Sequence, residues 1–252
     1  MIVMPSNNTG IIVGYLAGRF PGRIGHLFSP KGLQRTHPWL PFALDNGKFA
    51  CYQSNKEWDE LEYRNMLGEV SWLERLKPTQ ARQNVGQKPM WALAPDEVAN
   101  KAKTIELYKK WESVIRDYNW KVAFAVQDGM TKDDVPSSAD VIFVGGSYEW
   151  KWETYRMWCG EFPHVHIGRV NRAHRLYDCH FAGAKSIDGT GWLKGRSEMR
   201  IGLEDYMRNT AEHECAECKL RQLEEQARRP QNHDRANSQN AQDESNDDNI
   251  HD

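Results

Sequence analysis

Long apolar runs are missing from this chain: none approaches the roughly 18 residues that a membrane span requires, and the mean hydropathy is −0.77. No secretory-signal pattern opens the N-terminus. Cysteine is scarce and odd in number, five in 252 residues with no small-scaffold spacing. That excludes a disulfide framework and points to free thiols in a reducing cytoplasm. No G-x-G-x-x-G or G-x-x-x-x-G-K-S/T follows any apolar run, which weakens a nucleotide-binding open sheet. Acidic residues are absent before Asp45, whereas Arg19, Arg23, Lys31 and Arg35 lie in that stretch with His26 and His37.

What is present is a β/α alternation. Apolar runs of strand length at 11–17, 41–45, 90–94, 121–126, 141–144, 164–168 and 185–188 alternate with helical periodicity at 56–76, 95–118, 148–160, 170–182 and 197–227. Val98, Ala102, Ile105, Tyr108, Trp111 and Ile115 recur at spacings of three and four, a core-facing stripe. Strands alternating with helices require crossover connections and a parallel sheet. At this length the pattern predicts one (β/α)8-type barrel, regular or irregular in outline, over residues 1–227. From Arg228 onward large apolar side chains are nearly absent, and 231–252 carries Asp234, Asp243, Glu244, Asp247, Asp248 and Asp252 against Arg235 alone. Such a segment cannot offset its ordering entropy, so 228–252 is expected to be a disordered acidic tail.

Several runs end alike: Phe42-Ala-Leu-Asp45-Asn-Gly47, Ala123-Phe-Ala-Val-Gln127-Asp128-Gly129 and Lys185-Ser-Ile-Asp188-Gly189 each stop at an aspartate near glycine, and Val141-Ile-Phe-Val-Gly145-Gly146 stops at paired glycines. These dipeptides are ordinary turn formers. On a parallel barrel, however, all would open on one face and gather carboxylates and bare backbone amides there. Pro95-Asp96-Glu97 reads as a helix opening, with Asp96 also past a strand end. Two carboxylates in different environments can divide the labour of nucleophile and proton carrier. Arg19, Arg23, Lys31 and Arg35, interleaved with Phe20, Phe28 and Trp39, and the cluster Arg169, Arg172 and Arg175, suit a phosphate backbone and unstacked bases, or else a solvated loop. His164-x-His166 puts two imidazoles on one strand face, an alternative metal site of a hydrolase with Asp188, or, more commonly for such a pair, satisfied core or supporting groups.

The ordered series Ala43-Leu-Asp45-Asn-Gly47, Ala94-Pro-Asp96, Val126-Gln127-Asp128-Gly129, Phe143-Val-Gly145-Gly146-Ser147, Val165-His-Ile-Gly168-Arg169 and Ser186-Ile-Asp188-Gly-Thr190 resembles the tRNA-guanine transglycosylase superfamily, most closely its short phage-type group, DpdA, which acts on DNA. The resemblance covers about Ile11 to Gly195. It implies exchange of a guanine in DNA for a 7-deazaguanine through a covalent glycosyl-enzyme. Asp188 would be the nucleophile, Asp45 the proton partner, Asp96, Gln127 and Asp128 hydrogen-bonding groups for the purine, and Gly145 and Gly146 the loop whose backbone contacts it. Implied partners are DNA, the deazaguanine base, and a second copy or an accessory protein, in the cytoplasm of a host cell if phage-encoded. Relatives acting on tRNA carry a C-x-C-x-x-C zinc motif with a distant His, and here the region reads His213-Glu-Cys215-Ala-Glu-Cys218. Those ligand types suit structural zinc, but a continuous helix would turn His213 and Cys215 to nearly opposite sides. The RNA-binding domains of some relatives are absent from these 252 residues, so DNA is the expected substrate. The alternatives are a tRNA-guanine transglycosylase and a catalytically silent nucleic-acid-binding barrel.

Overall fold

Eight parallel strands follow one another around a ring in the computed structural model, which describes residues 1–33, 39–76, 87–194 and 198–210. In chain order the elements are β1 (Ile2–Pro5), α1 (Ile11–Arg19), β2 (His26–Phe28), β3 (Phe42–Leu44), α2 (Lys48–Gln53), α3 (Glu60–Arg75), β4 (Ala92–Leu93), α4 (Lys101–Arg116), β5 (Val122–Val126), β6 (Val141–Val144), α5 (Tyr148–Glu161), β7 (Val165–Ile167), α6 (Ala173–Ala182), β8 (Ser186–Gly189) and α7 (Gly191–Lys194). Residues 198–210 are also helical. The sheet order β1-β8-β7-β6-β5-β4-β3-β2 closes on itself, because Val3 bridges Ile24 and Ser6 bridges Leu27. The seam is held by Val3 N–H to Arg23 O at 2.9 Å and Asn7 N–H to Leu27 O at 2.9 Å. The architecture is a (β/α)8-type barrel. The compact unit runs from Met1 to Met207, while the expected boundary at 227 and the tail lie outside the described residues.

Local chemistry explains most elements. In β5 all five residues, Val122-Ala-Phe-Ala-Val126, are buried, as a strand covered on both faces requires. Asp59 caps α3 by accepting from the Leu61 and Glu62 amides, and Tyr63, Met66, Leu67 and Val70 supply its buried stripe. Met4, Leu27, Ala43, Trp91, Leu93, Ala123, Ala125 and Val141 form a separate cluster filling the interior of the ring, and the larger cluster lies between strands and helices. Among the described residues no helix is long and apolar enough to cross a membrane.

Three sequence expectations need correction. Residues 11–17 form helix α1, not a strand: Val13, Leu16 and Ala17 are buried while Ile11 is 90% exposed, and a short apolar run does not by itself distinguish the two states. The first two strands are instead Ile2–Pro5 and His26–Phe28. Helix α4 starts at Lys101 behind an Asn100 cap, so Asp96 does not open a helix, and the buried face of α4 is Thr104, Tyr108, Trp111 and Ile115 rather than one containing Ala102.

Candidate active site

Each strand delivers a residue at or just past its carboxyl end to one cavity of about 290 Å³: Ser6, Ser29, Asp45, Asp96, Gln127, Gly145, Arg169 and Asp188 line it in strand order. Asn46, Phe49, Phe143 and Asn171 complete much of the wall. The volume suits one small planar group rather than a polymer.

Asp188 is fixed from three sides. Its Oδ1 accepts from His166 Nε2 at 3.1 Å and from the Arg169 backbone N–H at 3.1 Å, and its Oδ2 accepts from Ser6 Oγ at 3.3 Å. His166 is held in turn by Ser186 Oγ at 2.8 Å from Nδ1, by stacking on Phe143 at 4.9 Å, and edge-on by Trp91 at 4.9 Å. A carboxylate facing Nε2 places the ring proton on that atom, leaving Nδ1 to accept from the serine hydroxyl. This follows from register: β7 and β8 pair His166 with Ser186, so the inward positions of adjacent strands meet.

Asp45 follows β3 directly and, among the described residues, its carboxyl accepts only the Gly47 backbone N–H, at 2.8 Å. Burial pushes its carboxyl up to about 7, the Gly47 contact opposes the rise, and the nearby charges of Asp188 and Asp96 add to it. Asp96 is 8% exposed and accepts Asn46 Nδ2 at 2.8 Å and Gln127 Nε2 at 2.6 Å. Burial raises its pKa also, against the opposing effect of the Asn46 hydrogen bond. Gln127 Oε1 accepts from the Ala99 and Gly146 amides, both at 3.2 Å. One N–H of Gln127 and one lone pair on each Asp96 oxygen remain for a ligand.

Arg169 takes a left-handed backbone, φ 57°. Its guanidinium lies 4.0 Å from the Phe49 ring centroid and donates to the Gly146 carbonyl. Burial lowers its pKa, with Asp188 opposing. Gly146, at φ +69°, is enclosed: a Cβ there would meet Trp150 at 2.5 Å and Asp128 Oδ2 at 2.7 Å. Gly146→Ala is therefore expected to cost about 1–3 kcal/mol, read as a lower denaturant midpoint at unchanged slope.

The strand-end rule thus brings together Asp45, Asp96, Gln127, Gly145, Gly146 and Asp188. It does not bring Asp128, which lies outside the cavity lining and accepts the Ser147 backbone N–H at 2.7 Å and the Ser147 hydroxyl at the start of α5. The basic residues scatter. Arg19 ends α1, on the side of the ring opposite the cavity, and bonds Tyr15. Arg23 is 8% exposed and packs on Met1 and Tyr206. Phe20 and Phe28 are core, so the interleaved pattern there is packing, not a binding stripe. Lys31, beyond β2, pairs with Glu62 at 2.9 Å. Arg172 is exposed just before α6, on the cavity side. Arg169 belongs to the cavity itself. Arg35 and the zinc candidates His213, Cys215 and Cys218 lie outside the described residues. His164 is exposed before β7 begins, away from Asp188, and no group of three or more metal-ligating side chains occurs among the described residues. The sequence reading missed Ser6, because β1 was not foreseen, and it weighed His166 as a metal ligand or as a satisfied core or supporting group without naming its bond to Asp188.

Comparison with known proteins adds little beyond the fold. No family model matches the chain, and no curated protein does. A crystal structure of 3-hexulose-6-phosphate synthase is similar in backbone, at 10% identity and a TM-score of 0.42, over 82% of this chain and 96% of that one.

Proposed function

We propose that this barrel exchanges guanine in DNA for a 7-deazaguanine through a covalent glycosyl-enzyme, with Asp188 as nucleophile and Asp45 as proton carrier. The observation that carries the reading is the pairing, in one cavity, of a carboxylate fixed by three donors with a second carboxyl poised near neutrality. Guanine is a poor leaving group, and its sugar carbon becomes electron-poor as the bond to N9 stretches. Three carboxyl groups against one guanidinium make the cavity favourable to developing positive charge and unfavourable to a free phosphate.

The steps balance. Asp188 attacks the anomeric carbon while the glycosidic bond breaks, its electron pair leaves with the base, and the protonated Asp45 supplies the proton. The incoming base then gives its N9 proton to Asp45 and displaces the Asp188 ester. A carrier with a pKa of about 7 gives and recovers a proton with little driving force lost in either direction. Asp96 offers free lone pairs to the N1–H and amino donors of a guanine edge, and Gln127 keeps one N–H for its O6. The target must leave the stack to enter. On the cavity side, Arg172, just after β7, and the exposed Tyr52 of α2 face solvent where phosphates and displaced bases would approach.

The choice of DNA over tRNA rests on the family resemblance, so the test offers both. Labelled guanine is supplied with double-stranded DNA, single-stranded DNA and tRNA. Label entering DNA alone supports the proposal, and label entering tRNA reassigns the substrate. No label in any polymer, with DNA binding retained, points to a silent binding subunit.

A further inference from the structure

Lys151, in the first turn of α5, is 1% exposed and lies outside the cavity lining. Among the described residues no carboxylate is bonded to it. Its Nζ donates to the Gly168 carbonyl at 2.7 Å, and the ammonium sits 5.0 Å from the Trp152 ring centroid and 6.0 Å from that of Tyr148. Burying a lysine in this way is expensive, and an apolar side chain of the same length would fill the space at lower cost.

The Gly168 carbonyl and the Arg169 N–H are the two ends of one planar peptide unit. That N–H is the donor to Asp188 Oδ1 at 3.1 Å. The turn is otherwise tied by Gly168 N–H to Val144 O at 3.2 Å and by Val170 N–H to the Asp188 carbonyl at 2.7 Å. Arg169 holds its left-handed backbone between these ties. A cation on the carbonyl end polarises the unit and strengthens the N–H at the other end, as hydrogen bonds in a chain reinforce one another.

We propose that Lys151 is a positioning residue for Asp188, fixing the plane of the 168–169 peptide and strengthening its N–H as donor to the carboxylate. The effect on Asp188 does not depend on the reaction; only its consequence for turnover rests on the base-exchange reading. The groups facing Lys151 are Arg169 and Asp188 from the strand ends and Cys179 and Arg175 from α6. Burial first, then Arg169, bring its pKa down to about 8, while Asp188 holds it up. The ammonium is therefore present at neutral pH and lost in mild alkali.

The test uses the full chain with ¹³C-labelled aspartate carboxyls, the Asp188 signal being assigned by its loss in Asp188→Asn. In Lys151→Met the Asp188 carboxyl signal is expected to shift and the Arg169 amide proton to move upfield as its hydrogen bond to Oδ1 weakens, and Lys151→Arg is expected to restore both. Unchanged signals in folded Lys151→Met overturn the proposal. If Lys151→Met does not fold, the reciprocal coupling decides: the Lys151 midpoint, followed through its ¹³Cε signal, should fall in Asp188→Asn, and an unmoved midpoint overturns it equally. Where base exchange is measurable, Lys151→Met should lower kcat about tenfold with little change in KM. Absence of exchange in the wild type would refute the function and leave these signals to judge Lys151.

Discussion

Asp188→Asn is expected to lower base exchange by on the order of 10⁴ or more, the scale on which covalent catalysts lose activity when the nucleophile is removed. The fold should survive. Asparagine is isosteric, its carbonyl oxygen still accepts from His166 Nε2 and the Arg169 N–H, and the Ser6 hydroxyl can rotate to accept from the new amide. The measurement has two parts: a denaturing gel of protein with labelled DNA, where the wild type leaves a covalent adduct and the variant none, and thermal unfolding, where the two should nearly coincide. Normal turnover in Asp188→Asn would falsify the assignment of the nucleophile.

The second large effect concerns Asp45 and has a defined sign. Its carboxyl titrates at about 7 in the fold against about 3.9 in the unfolded chain. Between those values the native state holds a proton that the unfolded state has released. Stability from this group is therefore complete below about pH 4 and is lost as pH rises through 7. Three pH units at 1.36 kcal/mol each amount to roughly 4 kcal/mol. Asp45→Asn, which cannot ionise, should thus gain on wild type by roughly that amount between pH 4 and pH 8, on the order of 10 °C in melting temperature. Comparing the two proteins cancels the contribution of Asp96, which titrates in the same direction. In the exchange assay the variant should lose roughly 10²–10⁴-fold, the scale of a positioned proton carrier, and the wild-type kcat should show an inflection near pH 7. A variant that gains stability in alkali but keeps its rate would leave Asp45 buried for some other reason.

These two aspartates were legible before any coordinates because of a property of parallel barrels: strand direction alone decides which end of a strand meets the site. Buried runs such as Val122–Val126 announce their strands, and the turn chemistry of Asn46-Gly47 or Gly145-Gly146 announces the end. The reading failed where a strand was too short to show a period. Three residues, His26-Leu-Phe28, carry no detectable alternation, and with β1 and β2 unrecognised Ser6 could not be placed. It failed again at Asp128, where the rule was one residue too generous. Gln127, following β5, points into the cavity, and alternation sends its neighbour toward α5, where it binds Ser147. The His166 contact with Asp188 depends on the register between two strands, and no single-strand pattern contains that information.

The Arg169 contact with Phe49 joins opposite sides of the ring. Arg169 follows β7 and Phe49 lies in α2 after β3, and these strands are separated by β6, β5 and β4. The side chains meet across the opening like a latch. A cation held against an aromatic face is worth about 1–2 kcal/mol when partly desolvated, so on this contact alone the unlatched form makes up only about one molecule in six to one in thirty. Apparent affinity for any ligand that needs the opening clear is weakened by that same fraction. With the contact made the cavity still reaches solvent, so the latch narrows the mouth without sealing it, and a nucleotide that offered Arg169 a phosphate in place of Phe49 would widen its own way in.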